Sequence, residues 1–202
     1  MRNMSESHSY YSHPTAVIES EAIGDGTKVW HFAHVRKGSS IGKNCSIGKS
    51  VYIDIDAEIG NNVKIQNFVS IYKGVIIDDD VYIGPSATFT NDLYPRAYIW
   101  DEGRVSGTRI CRGASIGANA TLVCGITVGE YAMIGAGSVV SEDVPPFALV
   151  LGNPCRQNGW VCHCGRKLVA GALQSNKETI YKCSSCGKSM EITDMISYGV
   201  SR

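Results

Sequence analysis

The clearest chemical signal sits near the C-terminus. Cys162 and Cys164 form one close pair, Cys183 and Cys186 a second, and a glycine follows each. Two thiolate pairs joined by a hairpin-length segment suit one tetrahedral zinc, as in a zinc ribbon. The first pair has one intervening residue instead of two, which leaves His163 as a substitute ligand. A redox dithiol and an unoccupied remnant are the competing uses. A closed four-ligand site has no position for substrate, so the expected role is structural. Elsewhere the polar groups are scattered. His31 and His34 are too few for a three-histidine catalytic zinc, and no further histidine comes before His163. Asn91-Asp92 has an ordinary use as the start of a turn.

The elements that hold these residues follow from a six-residue period. Val17, Ile23, Val29, Val35, Ile41, Ile47, Ile53, Ile59, Ile65, Ile71, Ile77 and Ile83 recur in step, with Phe89 next. Four places after each mark, from Thr27 to Ala87, the residue is small or β-branched. Gly24, Gly42, Gly48, Gly60 and Gly84 directly follow the mark. This period fits neither an amphipathic helix nor an alternating strand. It predicts an all-β parallel β-helix of hexapeptide repeats, three hexads to a triangular coil, with the aliphatic column inside. Glycine relieves crowding at the corners.

Residues 1–14 lack the period and read as a flexible N-terminal arm. The β-helix domain spans 15–159. Its count breaks after Phe89 and resumes at Ile110, so 90–109, with Pro95, Gly103 and Gly107, is an inserted loop. A loop projecting from a regular solenoid is a candidate for function, against a tolerated surface excursion. Two prolines, Pro145 and Pro146, end the coils. The zinc-ribbon-like module at 160–202 supplies the cap that an open last rung requires.

The 202 residues leave room for one solenoid and a small appendage. Nineteen basic residues balance nineteen acidic ones, which argues against a nucleic-acid partner or a membrane surface. The start is too polar for a signal peptide, no run spans a membrane, and the cysteine placement fits a reducing compartment. A cytoplasmic protein is expected.

The runs WHFAHV, IQNFVSIYKGV, FTNDLYPRA and PPFALVLGNPCR resemble the hexapeptide acyltransferases. Within them the chain is most similar to nucleotide-sugar N-acetyltransferases acting on 3-amino sugars, over roughly His13 to Trp160. The resemblance implies a left-handed winding, a homotrimer, and acetyl-CoA bound in clefts between subunits. It implies a nucleotide-sugar acceptor, a UDP-linked amino-uronate foremost, in surface-polysaccharide biosynthesis. By it, Asn91 is the catalytic residue, positioning the acceptor amine and donating to the oxyanion of the thioester. It also implies acceptor contacts from Gln66, Asn67, Tyr72, Lys73 and Arg96, the last through a bidentate guanidinium on diphosphate or carboxylate. His31 and His34, three coils or about 14 Å below Asn91, are contacts to a long nucleotide-sugar and not a base. Corner or interface roles compete at each of these positions. CoA is expected along the later coils, at exposed backbone near Gly117, Gly135 and Gly137, with Arg156 on phosphate. A general base is dispensable: an amine of pKa about 8 is roughly a tenth neutral at pH 7, and a CoA thiolate of pKa about 8.5 can take the proton. An O-acetyltransferase, which generally employs a histidine, and a non-catalytic solenoid with a partner-binding ribbon are the alternatives.

Overall fold

A computed structural model describes residues 9–99, 101–173 and 179–191, with no side-chain description at 102, 170–173 and 179. Most strands are two residues long and pair in parallel with the coils above and below. Three faces result. Face I has nine strands, from Tyr11–Ser12 to Cys155–Trp160. Face II has seven, from Val17–Ile18 to Val139–Val140, and face III six, from Ala22–Ile23 to Thr127–Val128.

Ile41, Ile59 and Ile77 stand in register one above another, and all three are buried. Each such isoleucine contributes about 1.5–3 kcal/mol by burial. Ordering a residue's backbone costs about 1–2 kcal/mol, so one coil cannot stand alone and stability comes from stacking. The small column, Thr27 to Ala87 and Ala114 to Ser138, is buried at the corners.

The corners are turns with positive φ at their third residue, recurring every six positions through Asn44, Ser50, Asp56 and Asn62. Asn, Asp and Gly occupy most of these positions at little cost. Phe32, Phe68 and Tyr131 adopt the same conformation, φ 57°, 61° and 55°, at about 1–2 kcal/mol each. The glycine after the aliphatic mark has a firmer reason than general crowding. A Cβ on Gly60 would lie 2.7 Å from the Asp79 nitrogen, and one on Gly117 2.5 Å from that of Ala136. The next coil's backbone occupies that space.

Three expectations shift in detail. Tyr11–Ser12 already pairs with Lys28–Val29, so the solenoid reaches into the stretch read as an arm, whose residues 1–8 lie outside the described residues. Ile18, paired with Val35, enters the aliphatic column, whereas Val17 faces out at 52% exposure. The corner between Ile18 and Ile23 is one residue short, and Ser20 fills it by donating its hydroxyl to the Ser39 carbonyl at 2.6 Å. The insertion is narrower than 90–109, as its anchoring below shows.

The last coil ends in an antiparallel hairpin, Ala148–Gly152 with Cys155–Trp160, that crosses the expected boundary at 159/160. Beyond it lie three antiparallel strands, Val169–Leu173, Thr179–Lys182 and Ser189–Glu191. Phe147, Cys162, Leu168 and Cys183 form a second buried cluster, flanked by Tyr131, Trp160, Tyr181 and Met190. The ribbon therefore caps the prism by packing on its last corner. No helix among the described residues is long and apolar enough to cross a membrane.

Candidate functional site

The four ribbon cysteines come together: their sulfurs all lie within 4.8 Å of one another. Cys162 and Cys186 approach to 3.5 Å, as do Cys164 and Cys183. A tetrahedral zinc with bonds of about 2.3 Å requires sulfurs about 3.8 Å apart, so the set fits a thiolate metal site. Burial pushes the Cys162 thiol up to about 12, while the backbone N–H groups of Cys186 and Ser185 bring Cys183 down to about 6. A divalent cation would supply the charge that holds all four as thiolates. His163 is not in the ligand set. Its ring packs edge-on to Tyr131 and Phe147, with centroids 4.5 and 4.7 Å away.

Asn91 lies on the corner between faces II and III. One coil below, that corner is the compact turn Tyr72-Lys73-Gly74-Val75, closed by the Val75 N–H on the Tyr72 carbonyl at 3.2 Å. The register Ser70↔Thr88 puts Asn91 one coil above Lys73, and Val75↔Thr108 puts Gly107 over Gly74. The insertion is thus 92–106, spliced between the second and third residues of a turn. Asn91 is the last solenoid position before the chain departs, and it is partly buried. The Thr90 hydroxyl accepts the Cys124 N–H at 2.9 Å and ties this rung to the next.

The remaining expected residues do not form one cluster. Tyr72 and Lys73 lie beneath Thr90 and Asn91, with the Lys73 Nζ 4.0 Å from Asp56. Arg96 is exposed in the insertion, its guanidinium donating to the Pro95 carbonyl at 3.1 Å. Gln66 and Asn67 stand instead on the corner between faces I and II, on the other side of face II from Tyr72 and Lys73. There the Asn67 Oδ1 accepts the Lys49 N–H at 2.8 Å, a ladder contact between coils. His31 occupies the same corner two coils lower, stacked on His13 at 3.5 Å. His34 lies on face II, with Nε2 2.9 Å from Glu19 Oε1, so it belongs to a network with Arg36 and Asp54. That contact draws the Glu19 carboxyl below its usual range.

Gly117 and Gly135 stack on the corner between faces I and II, below Leu151, and Arg156 pairs with Leu151 across the closing hairpin. The backbone there is less free than expected. The N–H groups of Gly117, Gly135 and Gly137 already donate to Ile134, Val150 and Ala118. The carbonyls of Gly117 and Gly135 in turn accept the Ala120 and Ser138 N–H groups at 3.3 Å. Space remains at Gly137, where a Cβ would meet nothing within 4 Å.

The sequence reading missed the residues anchoring the insertion, Asp92, Arg104 and Ser106. A charge of each sign near the two ends of the inserted segment was the available signal. It also missed the positive-φ column, which recurring Gly, Asn and Asp three places past the aliphatic mark announce.

The bacterial transferase hexapeptide family (six repeats) matches residues 22–54, 56–91 and 107–142, leaving out the insertion at 92–106. The chain is 45% identical over 164 residues to the dTDP-3-amino-3,6-dideoxy-alpha-D-galactopyranose 3-N-acetyltransferase of Aneurinibacillus thermoaerophilus, covering 81% of this chain and 85% of that one. It is 32% identical to the bifunctional protein GlmU of Thermotoga sp. (strain RQ2), covering 73% of this chain but only 43% of that relative's length. Among solved structures, it superposes on the hexapeptide-repeat acetyltransferase VCA0836 of Vibrio cholerae O1 biovar eltor, complexed with acetyl coenzyme A. That match has a TM-score of 0.54 and 27% identity, covering 61% of this chain and 70% of that one. The acetyltransferase domain of PglB from Neisseria gonorrhoeae FA1090 shares the fold at TM-score 0.52 and 22% identity, over 74% of this chain and 57% of that one. Stacked hexads on three faces and these matches lead to one conclusion: the chain belongs to the bacterial hexapeptide-repeat transferases.

Proposed function

We propose that this chain is an acetyl-CoA-dependent N-acetyltransferase acting on the amino group of a nucleotide-linked 3-amino sugar. The observation that carries the reading is the 45% identity to a 3-N-acetyltransferase across 85% of that enzyme's length. The place of Asn91 supports it, at the lip of the insertion with Lys73 beneath. In this reading the acceptor nitrogen attacks the thioester carbonyl, a C–N bond forms and the C–S bond breaks. The Asn91 amide donates to the oxyanion, and the proton leaves with the thiolate or solvent. Lys73 and Arg96 are on the acceptor side, facing diphosphate or a uronate carboxylate.

Asn91 and the Gly117–Gly135–Arg156 set occupy different corners of one prism, so a cleft using both takes its second wall from another copy. The corner between faces I and II supports a trimer, because Phe32 and Phe68 are 59% and 57% exposed there despite strained backbone. A structural zinc on the four cysteines completes the assembly.

The test is CoA release from acetyl-CoA with a panel of acceptors. It includes UDP-2-acetamido-3-amino-2,3-dideoxy-D-glucuronate, a dTDP-linked 3-amino-3,6-dideoxyhexose and their 3-hydroxy counterparts. Turnover with a 3-amino acceptor and none with the hydroxy sugars is expected, and the preferred amine identifies the sugar. Turnover confined to hydroxy acceptors would replace this reading with O-acetylation.

A further inference from the structure

The way the insertion is spliced into its corner gives Asn91 a second set of supports. On the two corners flanking face I the third residue's N–H donates to the second residue's carbonyl one coil below, as Ser50 does to His31 and Asn62 to Lys43. The corner between faces II and III has no such bond at Asp56 or Gly74, nor at the insertion. The Gly125 N–H goes to Gly107, and the Asn91 carbonyl instead accepts the Ser106 N–H at 3.0 Å. The departing and returning strands then bridge at Asp92 and Val105. Across that neck the Arg104 Nε lies 3.5 Å from Asp92 Oδ2, and both side chains are only 19% exposed. The second Asp92 oxygen accepts the Tyr94 N–H at 2.7 Å, and Arg104 also reaches the Ile99 carbonyl at 3.4 Å.

The Asn91 carbonyl is therefore held by the neck and not by the coil ladder. A half-buried ion pair with directed partners holds its geometry better than an exposed one, where side-chain entropy and screening offset the attraction. We propose that Arg104 is a positioning residue. Through Asp92 and the Ser106–Asn91 hydrogen bond it fixes the backbone at Asn91, and so aims the amide at the developing oxyanion. An oxyanion donor is effective only when held in place beforehand, since a misplacement of about 1 Å costs on the order of a hundredfold in rate. This rests on the reading of Asn91 given above.

The test compares steady-state kinetics of Arg104→Ala, Arg104→Lys and Asp92→Asn with wild type, each also in an Asn91→Ala background. Hydrogen exchange at the Ser106 amide is followed in the substrate-free protein. The expected result for Arg104→Ala is a fall in kcat of at least tenfold, with KM for acetyl-CoA within twofold of wild type and partial recovery in Arg104→Lys. In the Asn91→Ala background the same change has no further effect, and Ser106 exchange rises. Unchanged kcat, or a loss that multiplies that of Asn91→Ala, overturns the proposal. So does unchanged Ser106 exchange, which removes the clamp whatever the activity. Should Arg104→Ala fail to fold, Asp92→Asn and Arg104→Lys carry the same comparison. An Asn91→Ala enzyme with wild-type turnover marks failure of the Asn91 reading, distinct from an effective Asn91 that ignores its neck.

Discussion

The ring of Phe147 stacks on that of Tyr131, with centroids 5.2 Å apart and planes 14° from parallel. Both residues hold the positive-φ position of their corner, Phe147 at 59°, yet Phe147 is fully buried. The ribbon covers it, with His163 edge-on to both rings. The same kind of corner aromatic is bare at Phe32 and Phe68. The cysteine cluster and the last coil are thus parts of one packing unit.

Metal removal should therefore uncap the solenoid. Purified protein is expected to hold about one zinc per chain, as four thiolates require. Chelation or Cys183→Ser should lower the melting temperature and expose the Tyr131–Phe147 cluster to apolar dyes. Metal analysis beside thermal melts checks both. A metal-free protein with an unchanged melt would show that the ribbon does not need the ion.

Asn91→Ala should lower kcat by about 10²–10³ through loss of one oxyanion donor. KM for acetyl-CoA and the oligomeric state should not move, because the side chain supports no described hydrogen bond of the coil ladder. Steady-state kinetics with sedimentation measurements decide it. Wild-type turnover removes Asn91 from the mechanism.

Two glycines twenty residues apart, Gly117 and Gly137, should respond in opposite ways to alanine. Gly117→Ala drives a Cβ to 2.5 Å from the Ala136 nitrogen, and backbone cannot yield cheaply, so the coils separate and the protein is expected to misfold. Gly137→Ala meets open space and suffers only its φ of 68°, about 1–2 kcal/mol. Denaturant unfolding of both variants tests this. Equal effects would mean that conformation, not close approach, selects glycine here.

Acid should loosen the first coil. Burial against its neighbours, and then the charge of His31, lower the His13 pKa from its usual 6.5. A histidine whose pKa falls on folding leaves stability unaffected above 6.5 and costs stability as pH drops below it, where the unfolded chain binds the proton first. The Tyr11–Ser12 pairing with Lys28–Val29 should therefore weaken as pH falls below about 6.5. NMR titration of His13 is expected to give a pKa below 6.5 that returns toward it in His31→Ala. An ordinary titration in the wild-type protein would contradict the stacked arrangement.

The six-residue period was legible because each mark meets the same environment one coil on, so the core from Val29 to Val140 could be named without coordinates. The four cysteines were legible for a similar reason, since metal-ligand spacing is local. The alignment at 17–18 was not, because Ser20 absorbs a missing residue and hides the shift from Val17 to Ile18. That Gln66 and Asn67 stand on a different corner from Tyr72 and Lys73 was not legible either, because a few residues of sequence span a whole face of the prism.

The sequence by itself determined the three-sided solenoid, its aliphatic interior, the place where the count breaks and the thiolate set, all set by short-range periodicity. Only the tertiary structure decided that the insertion enters between Asn91 and Gly107, that Arg104 meets Asp92 across its neck, and that His163 packs on Tyr131 and Phe147 apart from the four gathered cysteines. Those contacts join residues whose separation follows no period, and only the folded stack of coils brings them within reach.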